Sequence, residues 1–196
     1  KADDSLVIFG IPQGTGYTIT EADYSESFRT FVRVDGPEEV EKNTTSGEIK
    51  TDFIENLFFN NVRRLGDLTL SKTVENSEET DREFEFTITL ENEYLLGAEQ
   101  SFDAEGVEGI DEITFDVEGK AVVHLKANER LTIHGLPQGT GYTITEADYS
   151  GSYDTKISAN GEEALEDNEV SGEIMAEQTE EIEFINSRLL GNLTVI

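Results

Sequence analysis

From Leu68 onward the chain alternates apolar and polar residues at every second position over much of its length. Leu68, Leu70, Lys72 and Val74 share one face of the first run, and Phe84, Phe86, Ile88 and Leu90 form the inward row of the next. The same period of two recurs in Ile113, Phe115 and Val117, in Ala121, Val123 and Leu125, and in Leu131 with Ile133. It returns in Tyr142, Ile144 and Glu146, in Tyr153, Thr155 and Ile157, and in Ile182, Phe184 and Asn186. Successive side chains of an extended strand point to opposite faces, so each run predicts a strand with one buried face. Gly, Pro, Asn and Asp fill the intervals, as turns require. Only 89–100, around LENEYLLGAEQ, breaks the rhythm, and it predicts a short helical or irregular excursion. Many short strands joined by glycine-rich turns predict an all-β fold, an antiparallel Ig-like β-sandwich.

The pattern also repeats on a larger scale. PQGTGYTITEADYS stands at 12–25 and again at 137–150 without a substitution. An offset of 125 residues aligns 1–71 with 126–196 without a gap, with 37 identities in 71 positions. A period of that length is a whole domain and not a solenoid repeat. The chain therefore reads as tandem repeats: the C-terminal half of one domain (1–64), a complete domain (67–190), and the start of a following repeat (191–196). An internally duplicated single domain, with 72–125 as an insert, is the alternative. The opening residues, KADDSLVIFG, read as the interior of a longer protein.

Composition narrows the function classes. The chain has 43 acidic and 14 basic residues, a formal charge of −29. Such a surface repels nucleic acid and anionic membrane, so neither is expected as a partner. There is no cysteine, hence no disulfide framework and no thiolate metal site. No apolar run reaches the roughly 18 residues of a membrane span. His124 and His134 make no ligand set, no phosphate-binding glycine loop opens a helix, and no EF-hand spacing occurs. Glu38, Glu39, Glu162 and Glu163 read as solvated loops, so a conventional enzyme, a cofactor and a metal are not expected.

Three residues sit on the wrong face. Lys72, Glu146 and Asn186 occupy inward rows otherwise filled by Leu, Ile, Phe and Tyr. One amine, one carboxyl and one amide together suggest a buried cluster, in which burial lowers the lysine pKa and raises that of the glutamate. A neutral amine is a nucleophile and a carboxamide carbon is its electrophile, while a protonated glutamate shuttles protons. The product is a covalent Lys–Asn amide, formed once and without a cofactor. A buried Lys–Glu ion pair with Asn as hydrogen-bond partner, needing no reaction, fits the spacing too.

GDLTLSKTV, EFEFTITL, LTIHGLPQGTGYTITEADY and EIEFINSR, in that order, resemble the isopeptide domains of Gram-positive, streptococcal-type pilin shafts. These are related in plan to the B-type repeat domains of collagen-binding surface adhesins. The resemblance covers almost all of 67–190, and its trailing half covers 1–64. It implies a bond between Lys72 on the opening strand and Asn186 on the closing strand, with Glu146 as proton shuttle. In the leading half, Glu21 and Asn61 take the repeated positions, and the lysine partner of Asn61 is absent from the chain. Lys1 aligns with Lys126 and is not that nucleophile.

The resemblance further implies a stalk or shaft segment of an extracellular, cell-wall-attached pilus or fibrillar adhesin. Its partners would be neighbouring repeats or pilin subunits, with any host ligand bound elsewhere in the parent protein. Strands lacking in 1–64 would be borrowed from a neighbouring molecule or cut away by a fragment boundary. The rival reading is a carbohydrate- or protein-binding sandwich module, for which Tyr24, Tyr149 and Tyr94 are the aromatic candidates.

Overall fold

A computed structural model describes residues 4–51, 53–77 and 81–194. Lys1 and the last two residues of the segment 191–196 lie outside the described residues. The chain divides into two units, Lys1–Arg63 and Arg64–Ile196. All regular structure among the described residues is β.

The first unit holds β1 (Gly16–Thr20), β2 (Phe28–Val34), β3 (Glu39–Glu41), β4 (Thr44–Glu48) and β5 (Leu57–Arg63). They form a two-stranded sheet, β1-β4, and a three-stranded sheet, β3-β2-β5, all antiparallel. Its only buried hydrophobic residue among those described is Val32.

The second unit opens with β6 (Leu65–Glu75), β7 (Phe84–Glu91), β8 (Gln100–Glu105), β9 (Glu112–Phe115) and β10 (Lys120–Leu125). There follow β11 (Arg130–Pro137), β12 (Gly141–Glu146), β13 (Tyr153–Ala159), β14 (Leu165–Glu166), β15 (Glu169–Glu173) and β16 (Thr179–Arg188). A four-stranded sheet runs β10-β7-β12-β15 and a seven-stranded one β14-β13-β16-β6-β11-β8-β9. Phe86, Ile88 and Ile144 of the first sheet join Leu68, Leu70, Leu131 and Phe184 of the second in one core, each at most 1 % exposed. The period of two thus becomes two inward faces packed as a β-sandwich.

One pairing departs from the antiparallel rule. β16 lies parallel to β6 at the centre of its sheet, with Phe184 opposite Lys72 and Asn186 opposite Val74. Parallel neighbours need a long connection, and here the connection is the rest of the domain.

One local expectation is corrected. Val117 is 54 % exposed and follows the end of β9. Asp116 stops that strand, because its Oδ1 accepts the backbone N–H of Glu118 at 2.8 Å and of Lys120 at 2.9 Å, a local bond that competes with the ladder. Segment 89–100 makes the irregular excursion, without a helix: β7 runs through Glu91, and Asn92 then turns the chain by accepting the Tyr94 N–H at 3.0 Å. β15 carries no apolar alternation, since Gly172 lies beneath the Tyr142 ring where a Cβ would strike the phenol oxygen. Gly47 repeats this contact against Tyr17 in the first unit, which accounts for the glycine of the repeated SGE.

Candidate functional site

Lys72 lies within β6 and Asn186 on the adjacent β16, two residues along in the parallel register, so both project from one face of the sheet. Glu146 ends β12 in the opposite sheet, beside Phe86. The three side chains meet in the core and are 1 %, 0 % and 1 % exposed for Lys72, Asn186 and Glu146. Glu146 Oε1 takes two donors, Lys72 Nζ at 3.0 Å and Asn186 Nδ2 at 3.0 Å. Its Oε2 accepts the Thr155 hydroxyl at 3.2 Å. Asn186 Oδ1 is buried without a hydrogen-bond partner.

The backbones at Lys72 and Glu146 are both pinned by hydrogen bonds. The Lys72 N–H donates to Glu129 O at 2.9 Å, and Lys72 O accepts from Asn128 N–H at 2.7 Å. The Glu146 N–H donates to Asn168 O at 2.8 Å, and Asn168 Nδ2 donates back to Glu146 O at 3.2 Å. Lys72 Nζ sits 4.6 Å from the centroid of the Phe84 ring and 3.4 Å from Phe184 O. Phe84 is fully buried, and the Arg82 guanidinium lies over the Phe84, Tyr149 and Tyr153 rings at 5.5, 5.2 and 5.1 Å.

Burial strips water from the ammonium and lowers the Lys72 pKa from 10.5 to about 8, although the Glu146 carboxylate pulls the other way. An ammonium buried at such a site costs several kcal/mol unless fully compensated. The lowered pKa favours a neutral amine, which stands here beside a carboxyl group and an amide. That is an acyl-transfer arrangement held in a dry core.

The first unit repeats part of the site. Asn61 Nδ2 donates to Glu21 Oε1 at 2.8 Å, matching the bond from Asn186 to Glu146. Asn60, its neighbour, lies on the other parity of β5. The equivalent threonine behaves differently: Thr30 donates to Asn61 Oδ1 at 2.7 Å, and Glu21 Oε2 is buried with no partner. In the second unit these roles are reversed, with the threonine on the glutamate and the amide oxygen bare. The alternation places Thr155 in an inward row, but nothing in the sequence marks it as a partner of Glu146.

Other sequence candidates lie elsewhere. Tyr149 packs edge-on to Phe84 with ring centroids 5.1 Å apart, and its hydroxyl accepts the Glu85 N–H at 3.0 Å. Tyr24 and Tyr94 are exposed. His134 bridges Asp67 at 3.1 Å and Glu105 at 3.4 Å, and the Asp67 hydrogen bond raises its pKa. His124 lies 3.4 Å from Glu85. Among the described residues no three His, Cys, Asp or Glu side chains are grouped to hold a metal.

The fold has known counterparts. The pilus tip adhesin Cpa of Streptococcus pyogenes is 32 % identical over 118 residues, which make up 57 % of this chain and 15 % of the adhesin. The solved pilus-presented adhesin Spy0125 (Cpa) is 28 % identical with a TM-score of 0.51, over 64 % of this chain and 28 % of that one. The major pilin T3.2 of Streptococcus pyogenes shares the fold, with a TM-score of 0.61 at 20 % identity over 91 % of this chain and 69 % of the pilin. The chain thus resembles Gram-positive pilin and pilus-adhesin domains, as its motifs imply. A family profile described as "Domain of unknown function (DUF7601)" matches residues 66–188, a stretch that contains Lys72, Glu146 and Asn186, and the chain belongs to that family.

Proposed function

We propose that the second unit is a self-crosslinking, tension-carrying segment of a pilus or fibrillar adhesin, exposed outside the cell on a wall-attached fibre. The observation that carries this reading is the meeting of Lys72 Nζ and Asn186 Nδ2 on one buried carboxylate oxygen of Glu146. Cpa is titled a pilus tip adhesin, and T3.2 a major pilin; neighbouring repeats or pilin subunits are the partners this kinship suggests.

The reaction balances within the cluster. Lys72 passes a proton to Glu146 and becomes a free amine. Turning the Asn186 amide half a revolution brings its bare Oδ1 onto the new carboxyl O–H, which polarises the carbonyl and removes an unsatisfied acceptor costing about 1–3 kcal/mol. Nζ attacks Cγ and a C–N bond forms. The surplus proton on Nζ reaches Nδ2 through Glu146, the Cγ–Nδ2 bond breaks, and ammonia leaves. The products are one secondary amide and one ammonia, so the domain turns over once. Effective molarities of held reactants reach about 10⁵–10⁸ M, which suits an amide of low reactivity.

Intact mass under denaturing conditions, with fragmentation of the linked peptides, tests the reading. Loss of ammonia leaves the chain about 17 Da light, with the deficit mapped to Lys72 and Asn186. A full mass would leave an ordinary buried polar cluster and overturn the proposal.

A further inference from the structure

On one side of the second unit's sandwich, among the described residues, β10 is bonded only to β7 and β9 only to β8. The β10–β7 ladder shows which groups of β10 point outward. The Leu90 N–H donates to Gly119 O at 2.8 Å, so these two are a hydrogen-bonded pair. Such pairs recur at every second residue, at Ala121, Val123 and Leu125. Val122 and His124 fall between them, and their N–H and C=O groups face the open side. Glu85, opposite His124, has the matching phase, because its carbonyl turns away from β10 and accepts the Ala147 N–H at 3.0 Å. The ends of the open stretch are already occupied. Lys120 O accepts the Asp116 N–H at 2.9 Å, and the Lys126 N–H donates to Glu129 Oε2 at 2.7 Å.

A groove of about 560 Å³ opens beside this edge. Its floor is apolar: Ile113 and Val123 are buried, Val107 and Ile110 pack partly on the core, and Val122 is 57 % exposed. Its rim sets the carboxylates of Glu83, Glu108, Glu112 and Glu129 against one permanent cation, Lys126, with His124 beside it. Free main-chain groups next to seats for side chains are a template for strand addition. We infer that β10 takes an added strand from a protein partner, an extended segment in which lysine or arginine alternates with apolar residues. The partner's main chain pairs with Val122 and His124. Its apolar side chains seat on Val107, Ile110 and Ile113, and its cations meet the rim glutamates. Charge selects this class of partner, since a second copy of this chain, at −29, is repelled from an acidic groove. Lys72, Glu146 and Asn186 do not line the groove, so the inference stands apart from the crosslink.

The test titrates a labelled peptide of alternating lysine and valine, the length of β10, against the whole chain by fluorescence polarisation, with amide hydrogen exchange read on the complex. The expected result is saturable binding, slowed exchange at the Val122 and His124 amides, and no binding of the matching glutamate–valine peptide. Glu108→Lys together with Glu112→Lys should weaken binding at least about tenfold, by turning attraction into repulsion. Val122→Pro should abolish it, because proline deletes an N–H that faces the open side, a position an edge strand tolerates. The lysine–valine peptide methylated on its main-chain nitrogens makes the same test with the chain unaltered, and it should not bind. Absence of saturable binding, or protection that falls away from β10, would overturn the inference. So would equal binding of the methylated peptide, which would reduce the contact to ionic attraction for an acidic surface.

Discussion

Thr30 and Thr155 hold the same place in the repeat, each opposite the asparagine of the neighbouring strand, yet they bond to different groups. Thr30 donates to the Asn61 amide oxygen, and Thr155 to the Glu146 carboxylate. The difference accompanies the lysine: among the described residues the second unit has an amine on its glutamate and the first has none. The Thr155 hydroxyl is the further side-chain donor to the Glu146 carboxylate, on the oxygen that the lysine and asparagine leave open.

Thr155 is therefore a positioning residue. Thr155→Val removes the Oε2 donor with little change of shape, and a hydrogen bond to a charged group is worth about 1.5–3 kcal/mol. We expect crosslinking to slow about tenfold or more, seen as chains still at full mass soon after synthesis. Thr155→Ser should restore the rate. A Val variant that matches the parent would remove the threonine from the reaction.

Loss of the bond should cost stability. A link from Lys72 to Asn186 closes a loop across most of the domain, worth about 4–5 kcal/mol in the chain-entropy account. Lys72→Ala, Asn186→Ala and Glu146→Ala should each keep full mass and melt at least about 10 °C lower by calorimetry, at a few degrees per kcal/mol. Glu146→Ala separates chemistry from reactants, since both linked residues remain. A light mass in that variant would show that the glutamate is structural only.

The uncrosslinked site should report its lysine through pH. In Asn186→Ala the amine stays buried beside Glu146 and has no electrophile. Its folded pKa, about 8, lies below the unfolded 10.5, so between these values the unfolded chain binds the extra proton. Stability therefore rises with pH across that window. Thermal melts from pH 7 to 10.5, compared with Lys72→Met in the same background, should show the rise only where the lysine remains.

His134 should act in the opposite sense. Its pKa is raised, first by the hydrogen bond to Asp67, so its stabilising contribution is complete below the ordinary histidine value and fades as pH climbs through the folded one. The group is more than a third exposed, and the effect should be small. His134→Phe, the residue its equivalent Phe9 carries, should flatten the slope of melting temperature between pH 6 and 8.

Gly172 should refuse a side chain. A Cβ there would collide with the Tyr142 phenol, and crowding of this kind costs about 1–3 kcal/mol. Gly172→Ala should lower the melting temperature measurably, and Tyr142→Phe in the same chain should recover part of the loss.

Much of this was legible in the chain. Alternation marked the inward rows, and the residues that broke it, Lys72, Glu146 and Asn186, are the ones brought together. Asn61 could be chosen over Asn60 by parity alone, and it is the one bonded to Glu21. The role of Thr155 stayed hidden because threonine is an ordinary strand residue on either face. β15 was invisible because Gly172 and its exposed neighbours carry no apolar period. The parallel pairing of β6 with β16 could not be read either, since alternation fixes which face is buried and is silent on strand direction.

That parallel pairing decides what happens to slack. A pull on the two ends of the domain would enter at Leu65, the start of β6, and leave at Arg188, the end of β16. With Lys72 joined to Asn186, the path runs down a few residues of one strand, across the amide and out along the other. Everything between them hangs off that path as an untensioned side loop. Without the link, rupture would release that loop into the fibre, at about 3.3–3.6 Å per residue a gain of several hundred ångströms. A fibre of linked units keeps its length under a pull that would let an unlinked one pay out like line from a reel.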